Sequence, residues 1–173
     1  MAIPALSPDD RAMVDQLVVR RRSILLAAAG ASAALGVFGF ARTREIHAQQ
    51  LTGNSLYDQL GGLAGISGVM NDFITNVAGD ERINAYFADL PALRIARLKE
   101  LLIQQVANAS GGPVEYTGGD MKSVHAGMGI TMQDFNALVE DLVAALDGNG
   151  VSPAAKRMLL GALAPMASDI VTA

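Results

Sequence analysis

The stretch Met121-Lys122-Ser123-Val124-His125-Ala126-Gly127-Met128-Gly129-Ile130 decides how this chain is to be read. Its histidine is one of two among 173 residues, the other being His47 just beyond an apolar N-terminal run, and there is no cysteine. Metal or base chemistry in the body of the protein therefore runs through a single imidazole. A structural zinc site takes about four Cys or His ligands, a thiol nucleophile takes a cysteine, and a hydroxyl triad takes a base with its orienting acid. What one imidazole can do unaided is hold a haem iron from one side, because the porphyrin supplies the four other nitrogens.

Outward from His125, the chain is dense in glycine from Tyr116 to Ile130, which places the histidine in a loop or on one short helix between two loops. On the N-terminal side, Leu93, Leu98, Leu101, Leu102 and Val106 mark an amphipathic helix opened by Pro91 and stopped by Gly111-Gly112-Pro113. Before it, Ile83, Tyr86 and Phe87 make a short apolar turn. Ile66, Val69, Met70, Phe73, Ile74 and Val77 recur at helical spacing, and Leu56 to Leu60 is a short first helix ended by Gly61-Gly62. On the C-terminal side, Phe135, Leu138, Val139, Leu142, Val143 and Leu146 form a long apolar stripe. Ser152-Pro153 begins a last helix, which Pro165 should kink. The expected class is all-α.

Residues 1–48 are set apart as a signal or anchor segment. Arg20, Arg21 and Arg22 precede an uncharged run from Ser23 to Phe40, and charge returns at Arg42 and Arg44. Arg21-Arg22-Ser23-Ile24-Leu25 loosely resembles the twin-arginine export pattern. Gly39-Phe40-Ala41 and Ile46-His47-Ala48 are candidate cleavage sites. Uncut, the run is about as long as the shortest spanning helices, ~17 residues, and a buried helix of the fold is the other reading. Basic residues lie mostly before the run, so the remainder is expected to face the periplasm, released or membrane-anchored.

Without that segment, residues 49–173 hold seven basic and 13 acidic residues, a formal charge of −6. Such a surface argues against nucleic acid as a partner. About 120 residues suffice for one core and not two.

Four motifs then occur in order: Ser55-Leu56-Tyr57-Asp58-Gln59-Leu60-Gly61-Gly62, Gly111-Gly112-Pro113, Tyr116-Thr117-Gly118, and the stretch around His125. Together they resemble the truncated haemoglobins, group I, over residues 55 to 171. The resemblance implies a truncated globin, a two-over-two helical sandwich, with His125 as the proximal ligand of a haem iron. It implies haem b held non-covalently, and the chain lacks the Cys-x-x-Cys-His that covalent attachment of the cytochrome c kind requires. Phe87 falls where globins stack a phenylalanine on the haem. Phe73, Met121, Val124, Ile130, Phe135 and Val139 are apolar residues placed to wall the pocket, and Lys122 is placed to pair with a haem propionate or to be a solvated surface lysine.

The family usually carries a tyrosine and a glutamine on the distal side. The corresponding positions here are Ile74 and Leu102, with Leu98 facing the iron between them, so the expected distal pocket is apolar. Gln104 or Gln105 would turn inward only in another helix register, and Lys99 would face away. The implied function is reversible binding of oxygen, nitric oxide and carbon monoxide. The alternative is a nitric oxide dioxygenase forming nitrate, which needs an external reductase because the chain has no flavin or nicotinamide fingerprint. A globin fold kept only as an interaction domain is the third reading.

Overall fold

The structure is a computed structural model in which residues 55–173 are described. The expected signal or anchor segment, residues 1–48, lies outside the described residues. All regular structure among the described residues is helical, and none of those helices is long and apolar enough to cross a membrane.

The helices are α1 (Leu56–Gln59), α2 (Gly62–Gly79), α3 (Ala92–Ala109), α4 (Met121–Val124), α5 (Met132–Gly148), α6 (Pro153–Leu163) and α7 (Ala167–Ile170), with 3₁₀ turns at Asn84–Tyr86 and Ala164–Met166. The starts of α1, α4, α5 and α6 follow from side chains that satisfy the free N–H groups of a first turn. Ser55 and Asp58 form a capping box on α1, and Thr131 and Asp134 form another on α5. Ser152 caps α6, with Pro153 in the first turn where its missing N–H costs nothing. The expected kink at Pro165 is realised as a break, since the 3₁₀ turn Ala164–Met166 separates α6 from α7. Proline removes one helical hydrogen bond and crowds the preceding turn.

Helix α2 packs against both α3 and α5, and α3 packs against α6, so two helices lie over two. The α2 stripe read from the sequence is the centre of the core: Ile66, Val69, Met70, Phe73 and Val77 are buried. They meet Leu142, Val143 and Leu146 of α5 and Leu159 and Leu160 of α6. Each such side chain contributes about 1.5–3 kcal/mol by leaving water.

Two glycine motifs have packing reasons. At the first, Gly61 and Gly62 take φ of 81° and 62°, turning the chain so sharply that the first turn of α2 lies on the end of α1. A Cβ on Gly65 would overlap the Leu60 carbonyl oxygen. At the second, Gly111 has φ 82°, and a Cβ on Gly112 would overlap the Tyr57 ring. The Tyr57 N–H donates to the Ser110 carbonyl at 3.1 Å, which fastens α1 to the end of α3. Gly65→Ala and Gly112→Ala are each expected to destabilise the fold by about 1–3 kcal/mol, read as a melting temperature lower by several degrees. An unchanged melting curve would refute the close approach.

Among the described residues, three charged ones are buried. Asp80 is bonded to Arg82, and Lys156 is paired with Asp147. Asp141, on the face of α5 that also carries buried Ala137 and Ala145, is 1% exposed and neither carboxylate oxygen has a hydrogen-bond partner.

Candidate functional site

His125 closes α4. Asp120 caps that helix by accepting from the Ser123 N–H at 2.9 Å, and His125 ends it with φ −105° and ψ 1°. Gly127 and Gly129, at φ 76° and 65°, then turn the chain toward Thr131. So short a helix presents one side chain at its end and leaves at once. The His125 Nδ1 lies 2.7 Å from the Met121 carbonyl oxygen. A carbonyl can only accept, so Nδ1 carries the proton and the lone pair of the neutral ring sits on Nε2. An imidazole held in that tautomer by a backbone oxygen is oriented to ligate a metal. Among the described residues no three His, Cys, Asp or Glu side chains stand close enough to hold an ion together. The donor set therefore suits an iron whose other ligands come with its cofactor.

A cavity of about 320 Å³ opens between α2, the corner after it and α3. It is lined by Ile74, Val77 and Ala78 of α2, by Phe87 and Ala88, by Ile95 and Leu98 of α3, and by a single polar residue, Asn84. Three residues singled out in the sequence, Ile74, Phe87 and Leu98, thus share one cavity. Phe73, Ile130 and Val139 are buried, Leu102 and Phe135 are partly buried against the core, and Met121 is partly buried. Lys122 is exposed and Val124 is 49% exposed.

Asn84 was missed by sequence reading. A 3₁₀ turn has no regular apolar stripe, so nothing in the pattern marks which of its residues faces inward. Val77, Ala78 and Ile95 were passed over for a simpler reason: at helical spacing they are indistinguishable from ordinary core.

The polar side chains of α3 are engaged elsewhere. Gln104 Oε1 accepts from the Thr117 N–H at 3.0 Å and from the Thr117 hydroxyl at 2.8 Å. Lys99 Nζ donates to Asn71 at 3.0 Å on the exposed side. Gln105 Nε2 lies 2.9 Å from the Met166 sulfur and 3.6 Å from the Met121 sulfur. Gln105, Met121 and Met166 border a second cavity of about 230 Å³ beside α4, together with Asn108 and Tyr116. None of Lys99, Gln104 and Gln105 lines the cavity that holds Ile74, Phe87 and Leu98.

With this geometry, comparison with known proteins gives a single answer. The family model for bacterial-like globins matches residues 55–172. The chain is 38% identical over 118 residues to a group 1 truncated haemoglobin of Mycolicibacterium paratuberculosis, covering 68% of this chain and 85% of that protein. It is 33% identical over 103 residues to a group 1 truncated haemoglobin of a Synechocystis species, covering 57% and 80%. The crystal structure of the truncated haemoglobin of Tetrahymena pyriformis, in its Fe(III) form, superposes with a TM-score of 0.65 at 24% identity, over 69% of this chain and all of that one, a likeness of fold. The 2/2 haemoglobin of a Synechococcus species, crystallised in the cyanomet state with covalently attached haem, superposes with a TM-score of 0.62 at 27% identity, over 68% and 98%. The chain belongs to the bacterial-like globin family and, within it, to the group 1 truncated haemoglobins, globins that bind haem and, with it, diatomic gases.

Proposed function

We propose that this globin holds haem b non-covalently through His125 and reversibly binds oxygen, nitric oxide and carbon monoxide in the apolar cavity beside Ile74, Phe87 and Leu98. The observation that carries the reading is the His125 Nδ1–H bond to the Met121 carbonyl, 2.7 Å long, which leaves Nε2 free to ligate. Haem, when bound, supplies the iron to which such gases attach. His125 would hold that group on the proximal side, while Phe73, Ile74, Phe87, Leu98 and Leu102 would wall the distal side and keep water out. Met121, Val124, Ile130, Phe135 and Val139 wall the remainder, and Lys122, exposed, is placed for a propionate.

The distal wall decides ligand preference. A ligand that gains negative charge on binding, as oxygen would, is held more tightly where the distal wall offers a hydrogen-bond donor, a bond worth ~1.5–3 kcal/mol. Neither Ile74 nor Leu98 can donate one. Ile74→Tyr is therefore expected to slow oxygen release by about 10- to 100-fold, with a much smaller effect on carbon monoxide. Stopped-flow release rates on the haem-loaded full chain make the measurement. Equal rates in variant and wild type would place position 74 away from the bound gas and sink the distal assignment. Nitrate formed from nitric oxide and oxygen over many turnovers, with an added reductant, would instead favour the dioxygenase reading and call for a reductase partner.

The Arg21-Arg22 pair before an uncharged run supports export of the folded, loaded globin to the periplasm, cleaved or membrane-anchored. Fractionation of cells carrying Arg21→Lys with Arg22→Lys tests this, since the doubly substituted chain should stay in the cytoplasm.

A further inference from the structure

The corner that carries Phe87 to the cavity is held by local backbone bonds. Ile83 and Asn84 donate to the Asp80 carbonyl, Tyr86 to Ile83, Phe87 to Asn84 and Leu90 to Phe87. Ile83 anchors the start of the corner in the core, but the stretch after it is bonded mainly to itself, and such a stretch opens at lower cost than the helices around it. Two side chains tie it to α5. Arg82 reaches Glu140 at 2.7 Å, but the two side chains are 52% and 34% exposed, so water and salt weaken that pair. Tyr86 donates its hydroxyl to Asp134 Oδ2 at 3.0 Å in a partly buried setting, across 48 residues of chain.

Asp134 is a rigid acceptor. The same oxygen accepts from the Thr131 N–H at 2.8 Å and from the Thr131 hydroxyl at 2.7 Å, closing the capping box that starts α5. Thr131 is reached directly from His125 through the Gly127–Gly129 turn. The Tyr86 bond thus joins the Phe87 side of the cavity to the chain that has just left His125. Burial first, and then the Asp134 carboxylate, raise the Tyr86 hydroxyl above the usual phenol range, which keeps it a donor. The Thr131 bonds, with help from Tyr86, hold Asp134 below the usual carboxylate range, which keeps it an acceptor.

We propose that Tyr86 is a positioning residue whose hydroxyl bond to Asp134 holds the Phe87 corner against the start of α5 and limits how fast a small ligand leaves the cavity. The ligand half of this proposal rests on the gas-binding reading. Phenylalanine at position 86 would pack alike and lack only the bond.

The test is Tyr86→Phe in the full chain, read in two ways. In the haem-free protein, amide hydrogen exchange over residues 84–90 should quicken by about 10- to 100-fold, the range for a bond to a charged acceptor. In the haem-loaded protein, the fraction of carbon monoxide that escapes after a light flash should rise. Asp134→Asn, which keeps an acceptor oxygen but loses its charge, should fall between wild type and Tyr86→Phe on both readouts. Asp134→Ala, which also opens the capping box of α5, should move both readouts at least as far as Tyr86→Phe, and adding Tyr86→Phe to it should change neither readout further. A Tyr86→Phe protein that melts earlier but exchanges and releases carbon monoxide as wild type does would make the bond merely structural and overturn the proposal. Wild-type chain that takes up no haem would overturn the gas-binding reading and the ligand half with it, while faster exchange in Tyr86→Phe would still establish the brace.

Discussion

His125→Ala is expected to abolish the globin-like absorbance of the haem-loaded chain in its ferric, ferrous and carbon monoxide forms. The magnitude follows from what is removed. Losing a partner that merely orients a metal ligand costs about 10- to 100-fold in affinity, so losing the ligand itself should weaken haem uptake by more than about 100-fold. The fold should survive. His125 is partly buried and, among the described residues, its side chain bonds to the Met121 carbonyl alone, so the haem-free variant should keep the helical circular dichroism of wild type. His125→Gly with added imidazole sharpens the test, because an imidazole free to enter the vacated position should restore the spectrum. A spectrum unchanged by His125→Ala would mean that another group holds the iron, and the proposed site would fall.

Asp141→Asn is expected to stabilise the protein at alkaline pH and to leave it no more stable at pH 4. Burial first, and the nearby Asp80 carboxylate second, push the Asp141 carboxyl up to about 6 against an ordinary 3.8; Arg82 opposes the shift and Glu140 adds to it. Asn76 gives no relief, since its amide donates to the Asp141 backbone carbonyl at 3.1 Å and not to the carboxylate. The folded chain therefore holds the Asp141 proton more tightly than the unfolded chain. The contribution of Asp141 to stability is thus greatest below pH 4, falls as the pH rises from about 4 to 6, and levels off above. The difference of about two pH units corresponds to roughly 3 kcal/mol at pH 8. An asparagine amide in the same place still lacks a partner and keeps a cost of about 1–3 kcal/mol, so the gain should reach at most about 2 kcal/mol, or several degrees in melting temperature. Melting curves from pH 4 to pH 8 measure it. Parallel curves for the two proteins would show that Asp141 finds solvent or a partner in solution.

The helices were legible because their signals are local. The α2 stripe from Ile66 to Val77 repeats at the spacing of one helix face, and the structure buries that face from Ile66 to Val77. Gly61-Gly62 and Pro165 mark breaks because one dipeptide adopts positive φ and the other residue lacks an N–H. That His125 would sit in a loop or on a short helix between glycine turns was equally local, and α4 ends at that residue. Within the candidate site, the apolar character of positions 74, 87 and 98 could be read directly. Their meeting around one cavity was an expectation carried by likeness to a family.

By itself, then, the sequence determined the helical class and the placement of the breaks, because backbone preference and the period of apolar residues act over a few residues; it also showed His125 to be the one imidazole after residue 48, while the two-over-two globin family was legible through the likeness of four ordered motifs. The tertiary structure alone decided which polar groups meet. Tyr86 finds Asp134 across 48 residues and Gln105 finds Met166 across 61, while Asp141, which reads in the sequence as a solvated residue between Glu140 and Leu142, is enclosed where α5 meets α2. Such pairings depend on the angle and separation at which two helices cross, a quantity set by the fit of the whole core and written in no single stretch of chain.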